Sequence, residues 1–175
     1  MKTLYLLRHA KAAEGELRGS DVLRPLAKRG IKASADMAAY LRESGVKVDQ
    51  VFCSTAMRTR ETYDLVAPGL NGAPVAYRER LYLIGMSDLL DFIQTLPDTS
   101  DSVMLIGHNP AFHTTAVALT KAAERGQANA FLSLKEKFPT CALCAIAFDI
   151  EHWAHVKRDS GVLVNFVVPR DLDGE

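Results

Sequence analysis

Few features of this 175-residue chain tie it to a membrane, a nucleic acid or an oxidising compartment. Its three cysteines, Cys53, Cys141 and Cys144, are an odd number and suggest no disulfide framework. Lys plus Arg and Asp plus Glu each total 21, so no global charge draws the protein to nucleic acid or to an anionic surface. Any basic site must be local. No segment approaches the ~20 apolar residues of a membrane span. Lys2, a short apolar run and Ala10-Lys11-Ala12 superficially resemble a signal peptide. The run falls short of the roughly 7–15 residues of a signal core, and Arg8 breaks it. Internal repeats, low-complexity tracts and linkers are missing too, as is any carboxylate cluster suited to Mg²⁺. The expectation is a cytoplasmic globular protein with one domain over residues 1–175.

What the chain does carry is a buried strand that ends in chemistry. Thr3-Leu4-Tyr5-Leu6-Leu7 is apolar and free of breakers, the pattern of a strand buried on both faces, and it stops at Arg8-His9-Ala10-Lys11. In open α/β sheets the loops after the carboxyl ends of strands form the ligand crevice. An Arg-His pair released there is well placed for chemistry, although an ordinary strand end facing water would read the same way.

Along the rest of the chain, Ala12 to Leu23 reads as an exposed loop. A helix is expected from about Leu26 to Glu43, with Ile31, Ala35, Ala38 and Leu41 at helical spacing and Gly45 closing it. A short strand over Asp49–Cys53 ends at Ser54, and a helix from about Ala56 to Ala67 is stopped by Pro68-Gly69. Val75–Tyr77 is a candidate strand. Ser87 to Leu96 reads as a helix with Leu90 and Ile93 inward. Ser102–Gly107 is a third buried strand. Asn109 and Pro110 suit a cap and first turn, so a helix should start directly after His108 and run to about Ala122. Ala123 to Phe138 reads as loop, and Cys141–Ile150 and Val162–Val168 as the last two strands. Strands alternating with helices predict an α/β sheet with helices on both faces.

Three strand ends then present polar residues of one kind. The first gives Arg8 and His9; the second gives Ser54 and, one helical turn on, Arg58 with Thr62 on the same face; the third gives His108 before a helix N-terminus. Two guanidiniums, two imidazoles and a helix dipole converging on one crevice describe a site for a dianionic phosphoryl group. Cys141 and Cys144 have redox or zinc spacing, but residues three apart in a strand face opposite sides, so they read as core. His113 rotates away from His108 around its helix, and His152 and His155 flank Trp153 as surface or packing residues.

Arg8-His9-Ala10 resembles the Arg-His-Gly motif of the histidine phosphatase superfamily, the phosphoglycerate-mutase-like proteins, with Ala in place of Gly. Ser54-Thr55-Ala56-Met57-Arg58 with Thr62 resembles its second motif, and Gly107-His108-Asn109-Pro110 its second-histidine motif. The finer likeness is to short SixA-type phosphohistidine phosphatases, through Arg24-Pro25-Leu26, Leu81-Tyr82, Phe138-Pro139-Thr140 and Pro169-Arg170-Asp171-Leu172. It spans nearly the whole chain in motif order. The resemblance implies a three-layer α/β/α domain with a largely parallel sheet. It implies His9 as a nucleophile that carries a phosphohistidine, a general strategy of covalent catalysis. Arg8, Arg58 and His108 would hold the phosphoryl oxygens, with Ser54 and Arg24 as further phosphate contacts and no metal or cofactor. Arg24, ahead of a proline, reads equally as a surface arginine.

The general acid is where the pattern departs. Glu79 lies near the position of the carboxylate acid in the mutases, yet Arg78 and Arg80 beside it favour its ionised form and make it a poor acid. Phosphohistidine leaves as a near-neutral imidazole and needs less help than a sugar phosphate. The expected partner is therefore a phosphohistidine protein, with a small-molecule phosphomonoesterase as the alternative. A non-catalytic phosphoprotein-binding module on the same fold is the rival of a different class. Neither nucleic acid nor membrane is expected as a partner.

Overall fold

The computed structural model describes residues 1–14, 21–121 and 127–173. Among these residues six strands form one sheet in the order β3-β2-β4-β1-β5-β6. They are β1 Lys2–Arg8, β2 Gln50–Ser54, β3 Val75–Arg78, β4 Ser102–Gly107, β5 Leu143–Phe148 and β6 Val162–Val167. β3, β2, β4 and β1 pair in parallel, and β5 pairs antiparallel with both β1 and β6. Only β5 is reversed, so the largely parallel sheet expected from the sequence is present. The apolar run of β1 is in the sheet's interior, with Leu4, Leu6 and Leu7 wholly buried. Parallel strands covered on both faces need this composition.

Among the described residues five helices supply the cover: α1 Lys28–Glu43, α2 Met57–Val66, α3 Met86–Gln94, α4 Ala111–Leu119 and α5 Ala128–Glu136. One face buries Met37 and Leu41 of α1 and Val66 of α2 against Leu7, Val51 and Ile106. The other buries Leu89 and Phe92 of α3, Phe112 of α4 and Leu134 of α5 against Leu4, Leu6 and Leu105. Cys141 falls in the first cluster and Cys144 in the second, the opposite-face arrangement that excludes a shared ligand. Trp153, also wholly buried, is a packing residue whose indole N–H donates to the Ser100 carbonyl at 2.9 Å.

Four local expectations need correction. The buried stripe of α1 is Gly30, Ser34, Met37, Ala38 and Leu41, while Ile31 is 47% exposed and Ala35 is exposed. Backbone approach decides this: a Cβ at Gly30 would meet the Lys11 carbonyl oxygen at 2.3 Å, so only glycine can face that strand extension. Ser34 is satisfied on the buried side by donating to the Gly30 carbonyl at 2.9 Å. In α3 the inward residues are Leu89, Phe92 and Ile93, with Leu90 only partly covered.

The segment read as loop before Phe138 contains helix α5, whose single fully buried side chain, Leu134, gives too faint a period to detect. Tertiary contact stabilises it, since most helical stability in proteins comes from packing rather than propensity. One such contact is His113 Nε2 donating to the Leu134 carbonyl at 2.7 Å. Residues 15–20 of the expected first loop, and 122–126 around the expected end of α4 and start of the next loop, lie outside the described residues. Asn109 is no helix cap. α4 begins at Ala111 with Pro110 at the cap position, and the Asn109 side chain donates instead to the Phe138 carbonyl at 2.9 Å.

Candidate active site

Strand order puts the three chemistry-bearing ends side by side, because β2, β4 and β1 are neighbours at the middle of the sheet. The parallel register pairs Arg8 with Gly107 and Cys53 with Ile106. One step past the first pair, His9 and His108 emerge together with ring centroids 5.1 Å apart, about one strand spacing. Gly107 permits this exit: a Cβ there would meet the Phe112 ring at 2.7 Å.

The loop after β1 is tied to its surroundings by the backbone. The His9 N–H donates to the Gly107 carbonyl at 3.0 Å, and the Cys141 N–H is shared between the Arg8 and His9 carbonyls at 3.1 and 3.0 Å. Thr62 of α2 accepts from the Ala10 N–H at 3.0 Å and donates to the Arg58 carbonyl at 2.6 Å. The second motif thereby fixes the first through Thr62.

His9 is 8% exposed and its Nδ1 lies 2.7 Å from the Ala10 carbonyl oxygen. A carbonyl only accepts, so Nδ1 carries the proton and Nε2 keeps its lone pair. Burial is the main reason that the His9 pKa falls from 6.5 to about 4; Arg58, Arg8 and Arg24 push it further down, against the Ala10 hydrogen bond. His108 falls to about 3, again chiefly through burial and then through His9 and Arg58, with Asp21 opposing. Both imidazoles are neutral at pH 7. Unfolded histidines titrate near 6.5, so the unfolded chain binds more protons between about 4 and 6.5. These two residues therefore contribute full stability above pH 6.5 and lose it as the pH falls toward 4. In imidazole NMR titrations of the ligand-free protein, His9 and His108 are expected to show midpoints near 4 and 3. A His9 midpoint at 6.5 or above would contradict this electrostatic picture.

Ser54 is wholly buried, and its Oγ lies 2.8 Å from His108 Nε2. Its hydroxyl has no other acceptor among the described residues, so it donates to Nε2 and leaves the His108 proton on Nδ1. That N–H is buried without a protein partner, as are the Nε–H groups of Arg8 and Arg58. Buried donors without acceptors are rare in folded proteins, and here three of them gather around one pocket.

Arg8 Nη1 donates to the Phe138 carbonyl at 2.9 Å, which it shares with Asn109. Arg58, 6% exposed, donates through Nη1 to the Asp21 carbonyl at 2.9 Å and through Nη2 to the Asp21 carboxylate at 3.1 Å. Asp21 also accepts from the Tyr82 hydroxyl at 2.7 Å and lies 3.0 Å from Arg24 Nε, a close ionic contact without an aligned hydrogen bond. Its pKa is held below the usual carboxylate range, chiefly by the Tyr82 hydrogen bond and further by Arg58 and Arg24. Tyr82 stands edge-on to His108 at 5.6 Å, with the Arg58 guanidinium 5.7 Å over its ring.

The sequence reading named Arg8, His9, Arg24, Ser54, Arg58 and His108, and the structure gathers all six. It missed Asp21, which sits three residues before Arg24 in a polar segment that looked like plain loop. Tyr82, in the Leu81-Tyr82 motif, carries no local signal of its contact with Asp21. Glu79 is not tied to those six: it is exposed in a short 3-10 turn, and its side chain makes no hydrogen bond or ion pair among the described residues. No group of three or more metal-ligating side chains occurs among the described residues. Three arginines and one aspartate leave the pocket with two net positive charges, a match for a phosphoryl dianion.

The family model for the histidine phosphatase superfamily (branch 1) matches residues 4–89. An uncharacterised protein of Mycobacterium tuberculosis (strain ATCC 25618 / H37Rv) is 37% identical over 166 residues, 94% of this chain and all of the relative. The structure of a SixA protein from Nakamurella multipartitia, named as a candidate phosphohistidine phosphatase, superposes with a TM-score of 0.81 at 28% identity over 96% of each chain. A SixA structure from Agrobacterium tumefaciens, named likewise, gives 0.79 at 27% identity over 96% of this chain and 98% of that one.

Proposed function

Because this chain belongs to the histidine phosphatase superfamily, we propose that it is a metal-independent phosphatase that works through a phosphohistidine on His9 and removes phosphate from phosphohistidine in a protein. The orientation of His9 carries this reading. Its Nδ1–H is held by the Ala10 carbonyl, so a neutral Nε2 lone pair faces a pocket of three guanidiniums.

In the first step His9 Nε2 attacks phosphorus, the P–N bond to the substrate imidazole breaks, and that imidazole departs neutral once its far nitrogen is protonated. Arg8, Arg58 and Arg24 hold the equatorial oxygens of a loose transition state, where positioning and charge stabilisation supply most of the rate. His108 donates its unpartnered Nδ1–H to a phosphoryl oxygen, and Ser54 fixes that tautomer. Water then attacks the phosphorus on His9, the second P–N bond breaks, and free His9 and inorganic phosphate result.

The choice of substrate rests on the acid. Asp21 is held ionised by its three partners, and the exposed Glu79 makes no side-chain hydrogen bond or ion pair to any residue of the pocket among the described residues. A site so furnished suits a leaving group that departs without an enzyme proton. The reading also takes the protein to be cytoplasmic; no helix among the described residues is long and apolar enough to cross a membrane.

The test is a panel of a phosphohistidine peptide, phosphoramidate, an aryl phosphate and a sugar phosphate, all assayed with EDTA present. Turnover should favour the P–N substrates, and Glu79→Gln should leave every rate within a few-fold. Were Glu79 the acid, the sugar phosphate would be fastest, and the variant would lose the ~10²–10⁴-fold of acid–base catalysis on it. That outcome would move the protein to the small-molecule branch.

A further inference from the structure

Beside the His9 pocket lies a groove of about 710 Å³ that none of Arg8, His9, Arg58 and His108 lines. It opens at the same end of the sheet, between the start of α1, the end of α5 and the segment that follows β6. Pro139, Phe166 and Val168 give it an apolar floor. Two segments join it to the site. Lys11 stands two residues after His9, and segment 137–140 carries the Phe138 carbonyl that Arg8 engages.

The charges in this groove are unevenly neutralised. Lys32 pairs with Asp36 and Asp173 at 2.7 and 2.6 Å, and Arg170 contacts Asp171 at 3.8 Å. The remaining cations all belong to segments tied to the site. Lys11 has only a 3.6 Å contact with Glu14. Arg29 lies in the first turn of α1, which the Ala27 N–H fastens to the Lys11 carbonyl at 2.8 Å. Lys137 precedes Phe138. Arg29 and Lys137 are exposed and without an ion pair among the described residues. Lys11, Arg29, Lys32, Lys137 and Arg170 face Asp36, Glu136, Asp171 and Asp173 in the lining, a formal charge of +1, and the cations without an ion pair among the described residues are Arg29 and Lys137.

We propose that the groove binds an acidic segment of the phosphorylated partner protein, adjacent in its chain to the phosphorylated residue, and so favours protein substrates over small phosphates. The proposal rests on the phosphohistidine-protein reading for its substrate. An extended segment leaving the His9 pocket past Lys11 enters the groove directly, sets an apolar side chain on the Phe166 floor and brings its carboxylates to Arg29 and Lys137. A small phosphate ester ends inside the pocket and cannot reach them. Rim charges of this type govern encounter and partner choice rather than the chemical step, and salt screens them.

The experiment compares wild type with the Arg29→Glu/Lys137→Glu double variant on two phosphohistidine peptides, flanked by glutamates or by glutamines, and on an aryl phosphate. At low salt the wild type should show a KM about tenfold lower for the glutamate peptide, given the modest energies of exposed charge pairs. The double variant should erase that preference and leave kcat and aryl phosphate turnover unchanged, which also certifies its fold. Fluorescence anisotropy with the unphosphorylated peptides runs alongside and should show the same preference. If no phosphohistidine peptide is turned over, the substrate reading fails by itself, and anisotropy still decides the groove. Equal affinity for the two peptides, or a preference that survives the double variant, overturns the proposal. So does an oligonucleotide that binds more tightly than the glutamate peptide and is released by the same substitutions.

Discussion

His9→Ala is expected to lower turnover of every phosphorylated substrate by about 10⁴-fold or more, the scale seen when a nucleophile is deleted from a covalent mechanism. The fold should survive. His9 sits at a strand end, its backbone N–H and carbonyl keep their partners in Gly107 and Cys141, and the lost side-chain bond is to its own neighbour, Ala10. Circular dichroism and the thermal midpoint should stay close to wild type, which separates a chemical defect from an unfolded protein. Asn or Gln in place of His9 should do no better than Ala, because an amide offers no lone-pair nitrogen. Substantial activity in any of these variants would remove His9 from the mechanism.

Arg58→Lys carries the second largest effect, an expected ~10²–10³-fold fall in kcat/KM, comparable to losing a donor aimed at developing charge. The substitution keeps the charge and loses the fork. Arg58 spends two N–H donors on the carbonyl and carboxylate of Asp21 and retains others for the phosphoryl oxygens. An ammonium cannot span both tasks in one orientation. Asp21→Asn, read alongside, separates aim from charge. Neutralising Asp21 raises the pocket from two net positive charges to three. Inorganic phosphate should then inhibit more strongly while kcat falls by about tenfold, because Arg58, Arg24 and Tyr82 lose their common anchor. A variant with unaltered kcat and phosphate inhibition would reduce Asp21 to a structural contact.

The parts of this site legible in the sequence were those written into strand ends. An uninterrupted apolar run followed by Arg8-His9, and another followed by His108, specify two buried strands and what each releases. Parallel pairing of Arg8 with Gly107 does the rest. Ser54 and Arg58 were legible for the same reason. What the sequence hid depends on long-range contact. Asp21 acquires meaning only when the chain folds back so that Arg58, 37 residues away, and Tyr82, 61 away, meet its carboxylate. No local period announces such a hub. The buried face of α1 was misplaced because glycine carries no hydrophobic signal, yet Gly30 is the residue that must approach Lys11. Helix α5 was invisible because covering β6 and α4 needs only Leu134 fully buried, with Ala130 and Phe131 partly so.

The most direct test of the central claim is to quench wild-type enzyme during turnover, digest it and locate the bound phosphate. The account predicts an acid-labile phosphate on His9, attached at Nε2 because Nδ1 keeps its proton against the Ala10 carbonyl. Phosphate on any other residue, or attachment at His9 Nδ1, would contradict it.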